Sequence, residues 1–162
     1  MGIHVRVSDP LEKIAEQMVE HITNQMEGRA YRGANELRNA ALLVLRGQRS
    51  GRRYKVPGTY RRQRDKKDNK VKNGRYYTAS APGQPPAART GVFRLSWQPA
   101  SHVVFGSYIS RIESDARTEN GKYNLGELLE DGTSKMAPRP HHDRILEKAK
   151  RPIIRIYDEP YF

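Results

Sequence analysis

The longest regular pattern in the chain is PLEKIAEQMVEHITNQMEGRAYRGANELRNAALLVLR, residues 10–46. Apolar residues recur in it at the three- and four-residue spacing of a helix that buries one face. They are Leu11, Ile14, Ala15, Met18, Val19, Ile22, Met26, Ala30, Gly33, Leu37, Ala40, Ala41 and Val44. The pattern predicts one long amphipathic helix.

The residues at both ends of this stretch agree with helix boundaries. Ser8 and Asp9 offer a capping side chain, Pro10 suits a first turn, and Gly47 suits a stop. Gly28 and Gly33 each cost about 1 kcal/mol relative to alanine in a helix, so a break near them is the alternative to one bent helix. Such a long helix needs a sheet or other subunits to cover its apolar stripe.

A small antiparallel sheet is predicted in the second half of the chain. Residues 92–98 and 102–112 are rich in β-branched and aromatic residues, and residues 99–101 separate them as a turn. In the second run Tyr108, Ser110 and Ile112 would face one side of the sheet, and Ile109 and Arg111 the other.

The C-terminal third predicts three further elements. Asn120-Gly121 is a turn signal, so an element should return through residues 123–129. A short helix should open at Pro140 or His141 and stop at Pro152. Residues 153–156 then read as a last strand, followed by a tail. The predicted fold class is α+β: the long N-terminal helix packed on a small antiparallel sheet, an extended basic arm, and a short C-terminal helix.

Length and composition limit the alternatives. The 162 residues make one domain, and only 36% are hydrophobic, so the core must be small or completed by partner subunits. With no cysteine, a disulfide framework and a thiolate metal site are excluded. No apolar run approaches the ~20 residues of a membrane span, and the first nine residues lack the apolar core of a signal peptide. We expect a soluble protein that does not associate with membranes.

The net charge of +12 belongs to one segment. Residues 46–77 hold thirteen Lys and Arg against two acids, while the rest of the chain holds seventeen against sixteen. Few apolar residues and no helical or strand period predict that residues 47–79 form an extended basic arm or loop.

Two interpretations of this basic arm remain open. Tyr54, Tyr60, Tyr76 and Tyr77 could stack on bases while the basic residues neutralise phosphates, or the arm could be a solvated loop that meets an acidic partner. The candidate contact residues are Arg49, Arg52, Arg53, Lys55, Arg61, Arg62, Arg64, Lys66, Lys67, Lys70, Lys72 and Arg75.

No pattern predicts catalysis, and no cofactor is expected. His141, His142 and Asp143 are adjacent, and no further ligand stands at a recognised metal-binding spacing, so we expect them at a helix cap or on the surface. Signatures of a serine nucleophile and of a phosphate-binding loop are lacking in the sequence. We predict that the protein is not an enzyme.

Four short segments resemble a phage morphogenesis family. They are SAPGQPPA at 80–87, TGVFRLSW at 90–97, VFGS at 104–107 and EDGTSKMAPRP at 130–140. In this order they are similar to the head-tail joining or tail-completion proteins of long-tailed phages, including the lambdoid minor tail protein Z type. With the N-terminal helix counted, the resemblance covers about residues 8–150.

The resemblance implies a small α+β virion protein in the neck between head and tail. Such a subunit would form a ring around the DNA channel, six-fold or alternatively twelve-fold, and would contact other neck and tail proteins after assembly in the host cytoplasm. No catalytic step is implied. The candidate motif and interface residues are Thr90, Gly91, Phe93, Arg94, Ser96, Trp97, Glu130, Gly132, Thr133, Arg139 and Pro140.

The chain departs from the family pattern at two places. Leu125-Gly126 replaces a Tyr-Ala pair, and His141-His142 follows Arg139-Pro140 where an aromatic and an aliphatic residue are expected. The residues themselves predict that Trp97 lies in the core or at a subunit contact, and that Arg139 pairs with an acid such as Glu130 or one on a neighbour. The runner-up function is a basic nucleic-acid-binding protein that uses residues 46–77.

Overall fold

A single 37-residue helix, α1, is the longest element of the computed structural model, which describes residues 10–56 and 75–161. The elements in chain order are α1 (Pro10–Arg46), β1 (Arg53–Lys55), β2 (Tyr76–Thr78), α2 (Val92–Leu95), β3 (Trp97–Val104), β4 (Ser107–Ser114), α3 (Leu125–Asp131) and α4 (His142–Tyr157). The predicted α+β class and the bounds of the long helix are confirmed, and α1 continues through both Gly28 and Gly33.

The core lies along the C-terminal half of α1. Its buried cluster consists of Leu37, Ala40, Ala41, Leu45, Trp97, Ile145 and Ala149. Among the described residues, six of the ten buried hydrophobic side chains are alanines. Alanine lets elements approach closely but buries little apolar area, so the core is small, as the composition predicts.

β3 and β4 form an antiparallel hairpin against α1, and its turn is not where the sequence predicted it. The strands pair from Trp97↔Ser114 to Val104↔Ser107. Phe105 and Gly106 make the two-residue turn with φ of 48° and 75°, the left-handed values that tight hairpin turns require. The predicted turn at residues 99–101 is therefore wrong. Pro99 is tolerated within β3 because a two-stranded sheet leaves each strand an edge without ladder hydrogen bonds.

The first predicted strand also begins too early. Residues Val92–Leu95 form one helical turn, α2, rather than the start of a strand. Gly91 has a φ of 86°, and its carbonyl accepts a hydrogen bond from the Leu95 amide, so the chain turns once before Trp97 enters β3. The predicted alternation in β4 is confirmed, since Tyr108, Ser110 and Ile112 are half-buried and their neighbours are exposed.

The helix α4 is longer than predicted, and the predicted strand at residues 153–156 is wrong. Ile145 and Ala149 are buried, and Ile153 packs against the same cluster four residues later. Pro152 removes one helical hydrogen bond, but its fixed φ is close to that of a helix. The apolar face that continues past Pro152 therefore keeps these residues on α1.

The C-terminal tail is fixed to the middle of α1. Gly33 lies where β4 and α4 approach α1, and a Cβ there would overlap the Ser110 hydroxyl and lie 3.4 Å from the Tyr157 ring. Arg29 donates to the carbonyls of Tyr157 and Pro160 at 3.3 and 2.8 Å. The end of α4 thus lies beside residues 29–33 of α1, and its beginning beside the core at residues 37–45, so the two helices run antiparallel.

The remaining elements are short. β1 and β2 form a three-pair antiparallel ribbon at the base of the arm, where no strand was predicted. The turn at Asn120-Gly121 is confirmed, with a φ of 69° at Gly121. The element predicted after it is the helix α3, and Asn124 caps α3 by accepting from the Gly126 amide. Within the described ranges, no helix has the length and apolar character needed to cross a membrane.

Candidate functional site

Three of the four motif segments meet at one place, which we call the motif junction. The Arg139 guanidinium donates to the carbonyls of Ser80 and Ala81, which lie 59 and 58 residues away in the sequence. The Arg139 amide donates to the Leu129 carbonyl at 2.8 Å, and the Gly83 amide donates to the Pro138 carbonyl at 3.2 Å. The loop at residues 80–83 is therefore fastened to the turn before α4. The predicted pairing of Arg139 with Glu130 is wrong, because its guanidinium binds backbone carbonyls instead; a pairing with an acid on a neighbouring subunit stays a prediction.

His141 lies at the centre of the motif junction, with none of its side chain exposed. Its Nδ1 lies 2.6 Å from Glu130 Oε2. Its ring contacts Phe93 and Trp97 edge-on, with centroids 5.5 and 6.0 Å away. His141 is the N-cap residue of α4, so the predicted cap position is confirmed, although its side chain caps no amide and is buried rather than on the surface. Of the two positions predicted for Trp97, the core is confirmed.

Glu130 joins the end of α3 to the beginning of α4. Its Oε2 accepts from the backbone amides of His141 and His142 at 2.9 and 3.3 Å, as well as lying against the His141 ring. A carboxylate at this position satisfies amides that the first turn of a helix leaves unpaired, and it complements the helix dipole. The His142 side chain remains exposed next to it.

Glu130, His141 and His142 also offer ligand atoms that lie within 4.8 Å of one another. Their spacing decides between a metal centre and a hydrogen-bonded junction. Ligands of a tetrahedral zinc ion, bound at 2.0–2.1 Å, lie about 3.3 Å apart. The 2.6 Å separation of Glu130 Oε2 and His141 Nδ1 is shorter than this spacing, and the same ring nitrogen is hydrogen-bonded to the Arg139 carbonyl at 3.1 Å. The same carboxylate oxygen already accepts two amides, so the group is arranged as a structural junction.

Burial lowers the pKa of His141. Loss of solvation is the largest cause, the His142 charge acts in the same direction, and the Arg139 carbonyl and the Glu130 charge oppose it. In the folded chain His141 therefore stays neutral below its ordinary pKa of about 6.5. Its ring has no contact with solvent, so the chemistry of the junction is packing and hydrogen bonding.

We expect the free energy of unfolding to fall as the pH drops below about 6.5. The unfolded chain then binds a proton at His141 that the folded chain takes up only at lower pH, so acid favours unfolding. Above that pH this contribution is fully present. Urea unfolding at several pH values between 7.5 and 5 measures the slope, and His141→Phe should reduce it. An unchanged slope in His141→Phe would assign the acid sensitivity to other groups.

The remaining residues of the second motif segment shape the turn around α2. Thr90 Oγ1 accepts weakly from the Val92 amide at 3.5 Å. Ser96 Oγ donates to the Phe93 carbonyl at 2.8 Å and lies 2.6 Å from Ser114 Oγ, which joins α2 to β4. Arg94 is half-buried. These contacts favour a packed turn over a surface loop.

The remaining residues of the last motif segment close the turn after α3. Gly132 ends α3 with a φ of 78°, and its amide donates to the Leu128 carbonyl. Thr133 forms a reciprocal backbone pair with Met136, and Pro140 is half-buried. The backbone at Gly132 needs glycine, because a Cβ there would lie 2.7 Å from the Met136 carbonyl oxygen.

The third motif segment, residues 104–107, is not part of the motif junction. It forms the tip of the β3–β4 hairpin, where Phe105 is fully exposed and Val104 is partly exposed. An apolar tip with this exposure is typical of a contact surface.

The arm residues divide into three groups. Arg49 is half-buried, and it donates to the carbonyls of Gly47, Gln48, Val44 and Pro86, so it closes the end of α1; burial lowers its pKa. Arg52, Arg53, Lys55 and Arg75 lie at the exposed base of the arm. The other candidates, Arg61, Arg62, Arg64, Lys66, Lys67, Lys70 and Lys72, and Tyr60 lie outside the described residues.

The burial of two residues was not predicted from the sequence. They are His141 in the motif junction and Arg29 beneath the C-terminal tail. For His141 a signal existed, because the family pattern expects an aromatic residue directly after Arg-Pro, and His141 packs as one. Arg29 follows the same helical spacing as the apolar stripe, which places it on the buried face of α1.

Comparisons with protein-family models, curated proteins and solved structures found no match.

Proposed function

We propose that the chain is a structural virion protein of the phage neck, which completes the tail or joins it to the head without catalysis. It would act as a head-tail connector subunit in a ring around the DNA channel, six-fold or alternatively twelve-fold. Other neck and tail proteins would be its partners.

The convergence of three motif segments at the motif junction carries this proposal. The resemblance rests on short segments far apart in sequence, and such matches could arise separately by chance. Here Arg139 holds the first segment, His141 packs on Phe93 and Trp97 of the second, and Glu130 of the last segment caps α4. Motif residues that contact one another in the fold support the resemblance better than isolated sequence matches do.

The exposed apolar residues are a second support. The outward side of the first turns of α1, the hairpin tip and the outer side of α4 all expose large hydrophobic side chains. With a core composed largely of alanine, such surfaces favour a subunit that is completed by neighbours.

The ribbon at the base of the arm favours nucleic-acid binding as a second candidate function. Tyr54 and Tyr77 stack with ring centroids 5.9 Å apart, and the Arg53 guanidinium lies 4.5 Å from the Tyr76 ring centre. Tyr54, Tyr76 and Arg53 are exposed. Aromatic faces beside basic groups are the usual elements of sequence-independent nucleic-acid binding.

One set of measurements separates the two functions. Light scattering after size exclusion, with negative-stain imaging, should show closed rings of the full chain without DNA. In phage that lack the protein, filled heads and finished tails should accumulate unjoined, and adding the purified chain should join them. A chain that stays monomeric, forms no ring and binds DNA with a steep salt dependence would contradict the neck function and support the second candidate. Arg53→Gln with Lys55→Gln should weaken only the DNA binding.

A further inference from the structure

The beginning of α1 is not covered by the rest of the described chain. Every residue from 10 to 21 is exposed, and we call this part the projecting segment. Leu11, Ile14, Met18 and Val19 lie on its apolar side with between 47% and 70% of their surface exposed. At 1.5 Å per residue the projecting segment is about 18 Å long. In proteins most helical stability comes from the packing of an amphipathic face, so packing against another surface would stabilise the projecting segment.

The chain's own α4 does not reach the projecting segment. The tail after α4 ends against Gln25 and Arg29, where Gln25 donates to the Tyr161 carbonyl at 3.2 Å and Arg29 lies 3.8 Å from the Tyr161 ring centre. Because α1 is one continuous helix, its first turns extend away from this point and cannot fold back onto α4. No other helix of the described ranges 10–56 and 75–161 packs on the projecting segment, so we look for its partner helix in another molecule.

The outer side of α4 has the properties that complement the projecting segment. Leu146 and Ile154 are exposed there, eight residues apart on one side of the helix, with Lys150 between them. Five basic residues of α4 outweigh Asp143 and Glu147, whereas three glutamates of the projecting segment outweigh Lys13. The basic residues are Arg144, Lys148, Lys150, Arg151 and Arg155, and the glutamates are Glu12, Glu16 and Glu20. The sixteen residues of α4 span about 24 Å, enough to accept the projecting segment along its length.

We propose that the projecting segment of one copy packs along the outer side of α4 in a second copy. Apolar residues would meet at the centre of this contact, and glutamates would lie against lysines and arginines at its edges. Two different surfaces of the chain take part, so the contact is heterologous, and its repetition produces a ring or an open filament. The inference rests on the proposed self-assembly and names the surfaces that perform it.

Complementary charge reversals test this contact in the full chain. One variant is Glu12→Lys with Glu16→Lys, and the other is Lys150→Glu with Arg151→Glu. Each variant alone places like charges across the contact, so the concentration for half assembly should rise about tenfold or more. A mixture of the two should assemble again, because each projecting segment then meets an α4 of opposite charge. Analytical ultracentrifugation over a concentration series measures both effects, and circular dichroism checks that each variant is folded.

A matched control variant and three possible results decide whether the projecting segment and α4 form the proposed contact. Glu119→Lys with Glu127→Lys makes the same change in net charge as Glu12→Lys with Glu16→Lys, at exposed residues outside both surfaces, and it should assemble like the unmodified chain. If the reversals also assemble like the unmodified chain, the contact lies elsewhere and the proposed self-assembly stands. If the mixture fails to recover, pairing of these two surfaces is overturned. If the unmodified chain is monomeric at every concentration, self-assembly and this contact fail together.

Discussion

Replacing His141 with alanine is expected to lower the free energy of unfolding by about 3 kcal/mol. The substitution removes a ring that is fully buried between Phe93 and Trp97, so it leaves a cavity beside the largest side chain of the core. It also removes the group that lies 2.6 Å from the Glu130 carboxylate, which then keeps only its backbone partners. Both losses act on the contact between α2, β3 and α4.

Urea unfolding followed by tryptophan fluorescence measures this effect directly. Trp97 is the single tryptophan and contacts His141, so its emission reports on the motif junction itself. His142→Ala is the matched control, because it removes a neighbouring histidine whose side chain is about half exposed, and a change within about 0.5 kcal/mol is expected. Equal losses in the two variants would contradict the central place of His141.

His141→Phe separates packing from hydrogen bonding at this position. Phenylalanine keeps an aromatic ring against Phe93 and Trp97, but it has no ring nitrogen to bind the Arg139 carbonyl or to lie against the Glu130 carboxylate. We expect a loss smaller than that of His141→Ala, because most of the cavity is filled and Glu130 still accepts the amides of residues 141 and 142. A loss as large as that of alanine would assign the stability mainly to the Glu130 contact.

The sequence predicted α1 well because its signal is long and local. Thirteen positions, with Gly33 among them, share one helical period, and the cost of Gly28 and Gly33 does not outweigh that signal. The period also indicates which side of the helix is apolar. It does not indicate how much of that side is covered, since this depends on where the hairpin and α4 pack. The exposed Leu11 and the buried Leu37 have the same status in the pattern.

The hairpin turn and the end of α4 could not be predicted because other contacts decide them. Pro99 within a strand and Pro152 within a helix both resemble breakers, yet each is accommodated where its missing amide costs little. The turn at Phe105-Gly106 was not predicted because phenylalanine rarely adopts a positive φ. Residues 99–101 were predicted as the turn instead, because proline is a common turn residue.

The motif junction was predicted in its residues but not in its contacts. Glu130, Arg139 and Trp97 were all singled out, but Arg139 was paired with an acid, and His141 was expected at a helix cap or on the surface, so its burial was not predicted. The partners of Arg139 are backbone carbonyls of Ser80 and Ala81, which carry no sequence signal. Because Arg139 binds these carbonyls, Glu130 remains available to His141. The wrong partner for Arg139 therefore also concealed the contact between Glu130 and His141.

Replacing Arg29 with alanine is expected to cost about 2–3 kcal/mol and to release the C-terminal tail from α1. Arg29 is only 2% exposed, and its guanidinium donates to the carbonyls of Tyr157 and Pro160 and lies over the Tyr161 ring. Those two carbonyls have a charged donor in the folded chain, and hydrogen bonds to charged groups are the stronger ones. Without the Arg29 guanidinium these two carbonyls must bind water instead. Water can reach them only if the end of α4 moves away from α1.

Arg32→Ala is the matched control for this prediction. Arg32 stands three residues further along α1 and pairs with Glu159 of the same tail, but both side chains are about half exposed, so solvent screens the pair and the loss should be marginal. Urea unfolding gives the two free energies, and limited carboxypeptidase digestion reports the release of residues 158–161. Arg29→Met keeps the apolar stem and should fall between Arg29→Ala and the unmodified chain. If Arg32→Ala released the tail as readily as Arg29→Ala, the exposed ion pair rather than the buried guanidinium would hold the tail on α1.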